Sequence, residues 1–111
     1  MMTKIPYKEW VEALRSGDYK QTKETLKGEL PEGGVGYCCL GVLAEIMGYE
    51  LEVEPYVGDK ENTLYNREGP KHIYEKFRCD IGDDLVQELI NHNDEGMSFW
   101  GISDIIKKEK V

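Results

Sequence analysis

The chain has 111 residues, a formal charge of −8, and 40% hydrophobic and 32% charged side chains. That length supports one modest core, and the patterned apolar segments exclude a disordered chain. No apolar run reaches the roughly 20 residues of a membrane-spanning helix, and the acidity excludes a module that grips nucleic acid non-specifically through a basic surface.

The acidity is uneven. Residues 1–40 carry six basic and six acidic side chains, whereas residues 41–111 carry eight and sixteen. Such a surface promotes solubility and can also mimic the charge of a nucleic acid. The opening MMTKIPYKEW is too polar for a secretory signal, so a cytosolic protein is expected. Three cysteines, an odd number, fit a reducing compartment better than a disulfide framework. Cys38 and Cys39 are vicinal and Cys79 is distant, with no CxxC and no histidine at metal spacing. No zinc site and no cofactor are expected.

In chain order, IPYKEWVEALRSG predicts a first helix. Pro6 suits its start, Trp10, Val11 and Leu14 share one face, and Gly17 stops it. Lys8, Glu12 and Arg15 fall on other faces and are expected in solvent. DYKQTKETLKGEL reads as extended, PEGGVGY as the tip of a hairpin, and Val35 to Tyr37 as the return strand. CCLGVLAEIMG predicts a second helix with Leu40, Leu43 and Met47 on its stripe and Cys39 and Ile46 on the flank. Gly41 inside it implies that another backbone passes close by, and Gly48 ends it.

YELEVEP alternates strictly and predicts a strand, with Tyr49, Leu51 and Val53 on one side and three glutamates on the other. Residues 56–70 are polar with scattered tyrosines, a connection long enough to be functional or mobile. CDIGDDLVQELINHNDEG predicts a third main helix capped by Asp80, with Leu85, Val86, Leu89 and Ile90 buried and a stop over 91–96. SFWGISDIIKKEK predicts the last helix, capped by Ser98, with Phe99, Ile102, Ile105 and Ile106 as its stripe and lysines at its negative end. The expected architecture is one compact α+β domain over residues 1–111, with about three main helices packed on a small antiparallel sheet.

Three stretches, WVEALRSGDYKQTKETL, YCCLGVLAEIMG and NDEGMSFWGISDIIKK, carry a resemblance. The chain resembles small proteins encoded by tailed phages and prophages, with a YCCLGVL motif and a C-terminal NDxGxSF motif. The resemblance spans most of the chain outside 55–75 and implies a phage origin, with no established activity. Three residues depart from the pattern: His92 where leucine is usual, Ser103 where alanine is usual, and Glu24 where glycine often stands.

Three groups are candidate sites. Cys38 and Cys39 open a helix, where the dipole stabilises a thiolate, and His72, His92, Asn91 and Asn93 offer the base and orienting group of a thiol hydrolase. The alternative is that both cysteines fill space beside Gly41. Asn93, Asp94 and Gly96 join two helices, either as a connector or as a polar rim contacting a ligand. The spacing excludes an EF-hand. Tyr19, Gln21, Lys23 and Tyr37 offer a stacking ring, an amide and a cation on one face of the extended segment, or else an ordinary sheet face. No Walker A or GxGxxG motif is present.

The expected function is binding without catalysis. In this reading a phage accessory protein in the host cytoplasm sequesters a small nucleotide-derived immune signal through Tyr19, Gln21, Lys23, Tyr37, Asn93 and Asp94. Its pocket is expected between subunits of a homo-oligomer. One alternative is an acidic inhibitor of a host defence protein through Glu50, Glu52, Glu54 and residues 80–95. The other is a cysteine-dependent hydrolase.

Overall fold

The computed structural model describes residues 5–23, 25–54 and 71–111. Among them are five helices and a two-stranded antiparallel sheet, so the α+β class holds. The helices are α1 (Tyr7–Ser16), α2 (Cys39–Ile46), α3 (Lys71–Ile81), α4 (Asp83–Asp94) and α5 (Phe99–Lys110), and the strands are β1 (Lys27–Glu29) and β2 (Val35–Tyr37). Glu24 and the 56–70 connection lie outside the described residues.

α1 buries Trp10, Val11 and Leu14 and ends at Gly17, whose φ of +83° is the left-handed turn that glycine accepts without strain. The Trp10 indole N–H donates to the carbonyl of Cys39 at 2.9 Å, which joins α1 to the first turn of α2 inside the core. Arg15 is not solvated as expected. Its Nε donates to Ser103 Oγ at 2.7 Å, its Nη2 pairs with Asp104, and its guanidinium lies 4.6 Å from the centre of the Trp100 ring. Ser103 is fully buried and its hydroxyl donates to the carbonyl of Trp100 at 2.7 Å. A serine at this position therefore gives Arg15 an acceptor that alanine would lack.

The hairpin forms at the expected place, with Lys27, Gly28 and Glu29 opposite Tyr37, Gly36 and Val35. β2 is also paired on its other edge. Thr22 N–H donates to the Tyr37 carbonyl at 2.8 Å, and Tyr37 N–H to the Lys20 carbonyl at 2.7 Å, forming a single parallel bridge at Gln21.

Over the described residues 49–54 the strand expected for YELEVEP does not form. Among them Glu54 alone reaches the sheet, through a parallel bridge to Gly28. The preceding turn accounts for this. Gly48 (φ +87°) bends the chain away from α2, while Tyr49 N–H returns to Ala44 O and Gly48 N–H to Glu45 O, the double closure of a left-handed helix end. Tyr49 then packs edge-on against Phe77 with centroids 6.1 Å apart. Val53, expected on the same buried side, is 41% exposed.

The expected third helix is two helices. Gly82, at φ +123°, separates α3 from α4, so Asp80 lies inside α3 and caps nothing. Ile73, Phe77 and Ile81 recur every four residues and bury one face of α3. Val86 and Leu89 are buried on α4, with Leu85 and Ile90 half-buried beside them. α5 is capped by Ser98, whose Oγ accepts from Gly101 N–H at 3.3 Å, and buries Phe99, Ile102 and Ile106. Among the described residues no helix is long and apolar enough to cross a membrane.

Of the described glycines, Gly41 leaves the least room for a side chain. A Cβ there would overlap the backbone carbonyl of Leu26. The same carbonyl accepts from Cys38 N–H at 3.2 Å. Gly41→Ala should therefore lower unfolding free energy by about 3 kcal/mol or more, since rigid backbone rather than a flexible side chain must move. Urea denaturation of that variant checks this, and a loss below about 1 kcal/mol would show that the segment yields freely.

Candidate functional site

A cleft of about 430 Å³ lies between the start of α2, the middle of α3 and the face of α4. Thr25, Cys38, Cys39 and Ile90 are among its lining residues. Tyr74, Glu75 and Arg78 enter from α3, and Gln87, Asn93 and Asp94 from α4. Tyr74 and Arg78 stand one helical turn apart, so both reach the same space. Arg78 also spans the Gly82 break. Its Nη1 donates to Asp83 Oδ1 at 2.8 Å and its Nη2 to Gln87 Oε1 at 3.1 Å. Gln87 in turn donates to Asn91 Oδ1 at 3.1 Å.

At Cys38, two effects compete. The thiol sits at the N-cap of α2 and accepts from Gly41 N–H at 3.4 Å, which favours the thiolate. Burial opposes it and is the larger effect, pushing the Cys38 thiol up to about 12. The Cys39 thiol is raised well above its usual value, first by burial and then by the neighbouring Cys38. Its Sγ is directed at the carbonyl of Leu89, 3.8 Å away. Neither His72 nor His92 lines the cleft. His92 is one helical turn from Glu88, 3.5 Å away, while His72 belongs to a smaller hollow with Glu50, Glu52 and Glu54. The paired cysteines are packing groups, and no imidazole lines the cleft to draw off their protons.

Asn93 is completely buried. Its Oδ1 accepts from Cys39 N–H at 3.2 Å and from Gln21 Nε2 at 3.0 Å, and its Nδ2 donates to the Thr22 carbonyl at 2.8 Å. Gln21 Nε2 also donates to the Met97 carbonyl at 2.7 Å. This pattern requires the oxygen to face two donors and the nitrogen to face a carbonyl, which fixes the orientation of the amide. The side chain thus ties the start of α2, the 21–22 segment and the end of α4 together. Gly96, at φ +102°, closes that end, with Met97 N–H donating to the His92 carbonyl at 2.9 Å.

The six residues expected to bind a ligand divide between two places. Asn93 and Asp94 line the cleft, whereas Tyr19, Gln21, Lys23 and Tyr37 do not. Tyr19 and Tyr37 pack edge to face with centroids 5.2 Å apart, and Lys27 Nζ lies 5.5 Å from the Tyr37 centroid. Burial, and after it the carboxylate of Glu45, raises the Tyr19 phenol. Gln21 joins the two places through Asn93. Lys23 is exposed, with its ammonium close to Gly96. The sequence reading missed Tyr74, Glu75, Arg78 and Gln87. The signal that locates the first three is the apolar repeat Ile73–Phe77–Ile81, which makes 71–81 a helix and places 74, 75 and 78 off its buried stripe. Among the described residues no group of three or more His, Cys, Asp or Glu side chains is placed to hold a metal ion.

A family model described as a domain of unknown function (DUF8296) matches residues 1–75. No curated protein and no solved structure matches the chain.

Unfolded thiols ionise around their ordinary 9.0, while folded Cys38 ionises only at about 12. The stability these groups contribute is therefore intact below pH 9 and lost as pH rises from there towards 12. Urea midpoints should fall above pH 9, and less steeply in Cys38→Ala. At about pH 7.5, iodoacetamide should label exposed Cys79 alone in the folded protein, and all three cysteines only in denaturant. Rapid labelling of Cys38 or Cys39 without unfolding would contradict the assignment. At the amide clamp, Asn93→Ala should cost about 3 kcal/mol and Gln21→Ala about 1 kcal/mol, because the first leaves the buried Cys39 N–H and the Thr22 carbonyl without partners, while the second leaves only the part-buried Met97 carbonyl. Equal, small losses in urea denaturation would refute the clamp.

Proposed function

We propose that this chain, which belongs to the DUF8296 family, is a non-catalytic binding protein that sequesters a small nucleotide-derived ligand in the cleft between α2, α3 and α4. The observation that carries this reading is the cleft itself. Its volume of about 430 Å³ falls within the range of roughly 300–1,000 Å³ usual for small-molecule pockets. Its lining suits a nucleotide-type ligand. Tyr74 offers a ring for stacking, Thr25 and Ile90 provide wall, and Arg78, Gln87 and Asp94 supply directional polar groups. Sequestration fits better than turnover, because the only nucleophilic sulfurs at the cleft are held protonated by burial.

The biological setting comes from the sequence. The resemblance to small phage-encoded proteins supports a role in the host cytoplasm, where removing a nucleotide-derived immune signal blunts antiviral defence. The amide clamp supports a pre-formed site, since Asn93 fixes two of the elements that bound the cleft.

Isothermal titration against a panel of cyclic nucleotides and ADP-ribose derivatives tests the proposal. At least one should bind with a Kd of about 10 μM or tighter, and Tyr74→Ala should weaken it by about ten-fold through the lost stacking. Silence across the panel from folded protein would remove this reading in favour of an acidic inhibitor of a host protein. The exposed Asp83, Asp84, Glu88 and Glu95 would then be the relevant surface.

A further inference from the structure

We propose that the outer face of α5 pairs with the same face of a second copy of this chain, antiparallel and two-fold symmetric. Among the described residues this face shares none with the lining of the cleft, so the pairing does not depend on the binding reading.

Among the described residues three large hydrophobic side chains are exposed: Val53, Trp100 at 58% and Val111 at 61%. The last two stand at opposite ends of α5. Trp100, Asp104, Lys107 and Val111 follow one another at steps of four, three and four residues, the spacing of the a and d positions along a paired-helix seam. All four are exposed, as is Lys108 beside them. The Val111 N–H donates to the Lys107 carbonyl at 3.2 Å, which keeps Val111 in the helical register. Ile102, Ser103 and Ile106 are fully buried on the other side, so the seam faces away from the core.

The order of these residues selects the occupant. An apolar group stands at each end and opposite charges lie between. A second α5 turned end for end sets its Val111 beside Trp100 and its Lys107 and Lys108 beside Asp104. Two-fold symmetry then repeats both contacts. A parallel pair would instead put Asp104 against Asp104 and Lys107 against Lys107, and like charges repel. Asp104 keeps capacity for this contact. Its Oδ1 pairs with Arg15, yet the side chain is 69% exposed and a carboxylate accepts several hydrogen bonds.

Trp100 is held in place for it. The Arg15 guanidinium lies 4.6 Å from the ring centre, and Arg15 Nε is itself fixed by Ser103 Oγ at 2.7 Å. The ring therefore loses little freedom when a partner arrives. Tryptophan and arginine are also the side chains that most often carry interface energy. From Trp100 to Val111 the seam is only about 16 Å long, so the dimer is small, weak and dependent on concentration.

Sedimentation equilibrium reads the pairing. The chain should pass from monomer to dimer with a Kd of about 100 μM, and Trp100→Ala should weaken the dimer by about ten-fold or more. Lys107→Glu combined with Lys108→Glu, and separately Asp104→Lys, should each weaken it by a similar factor, because like charges then face each other. Mixed in equal amounts, these two charge variants should recover the dimer, since opposite charges meet again at both contacts. Circular dichroism checks the fold of each variant. Trp100→Ala and the lysine variant leave the Arg15–Asp104 pair in place, so they carry the test even if Asp104→Lys misfolds. A chain that stays monomeric up to about 1 mM would overturn the proposal. A dimer unchanged by Trp100→Ala and by the lysine variant would also overturn it, by placing the interface elsewhere. Folded charge variants that remain monomeric on mixing would exclude the two-fold antiparallel pairing.

Discussion

The approach of the Leu26 carbonyl to Gly41 sets the spacing on which the rest of the molecule depends. A helix carries side chains on every face, so a second backbone reaches its axis only where one side chain is missing. At Gly41 the chain leading into β1 takes that opening, and Leu26 O receives the N–H of Cys38 there. The contact fixes the first turn of α2 against the hairpin. It also buries both sulfurs, brings the Cys39 carbonyl to the Trp10 indole, and leaves the Cys39 N–H facing Asn93. One absent methyl group thus decides where three other elements can attach.

The paired cysteines illustrate how magnitude decides between opposing effects. A helix N-terminus lowers a thiol pKa, and the Gly41 N–H at Cys38 does act in that direction. The gain comes from the backbone amides at the helix start, those of Gly41 and Leu40 ahead of the others, whereas full burial removes nearly all the water that would solvate a thiolate. Burial therefore prevails, and the sulfurs behave as compact apolar groups. Asn93 is the reverse case, a polar side chain at the centre of the fold whose three hydrogen bonds offset the loss of water.

Much of the fold was legible in the sequence because local and tertiary preferences agree. Trp10, Val11 and Leu14 mark the buried face of α1, Gly17 and Gly48 mark helix ends, and Ser98 caps α5. Gly41 signals close backbone approach from composition alone. YELEVEP misled because alternation describes how side chains divide between two faces, while a ladder also needs a free edge alongside. Among the described residues 49–54, Glu54 alone finds one. Asp80 misled because an acidic residue before an apolar run resembles a cap, although Gly82 is the residue that breaks the helix. The site was less legible. Tyr74, Glu75, Arg78 and Gln87 have no spacing that distinguishes them from solvated helical residues. They acquire meaning only when Gly82 folds α4 back beside α3, an angle that no local pattern encodes. Asn93 read as a turn residue because its neighbours Asp94 and Gly96 are turn-formers, and its partners lie more than 50 positions away in the chain.

The two tryptophans occupy opposite environments, and this gives the molecule a pair of separable optical reporters. Trp10 has its indole enclosed and its nitrogen bonded, so its emission should lie to the blue and resist collisional quenchers. Trp100 is 58% exposed beneath the Arg15 guanidinium and should emit to the red and quench readily. Loosening of the α1–α5 seam and collapse of the interior would therefore register at different wavelengths within a single unlabelled sample.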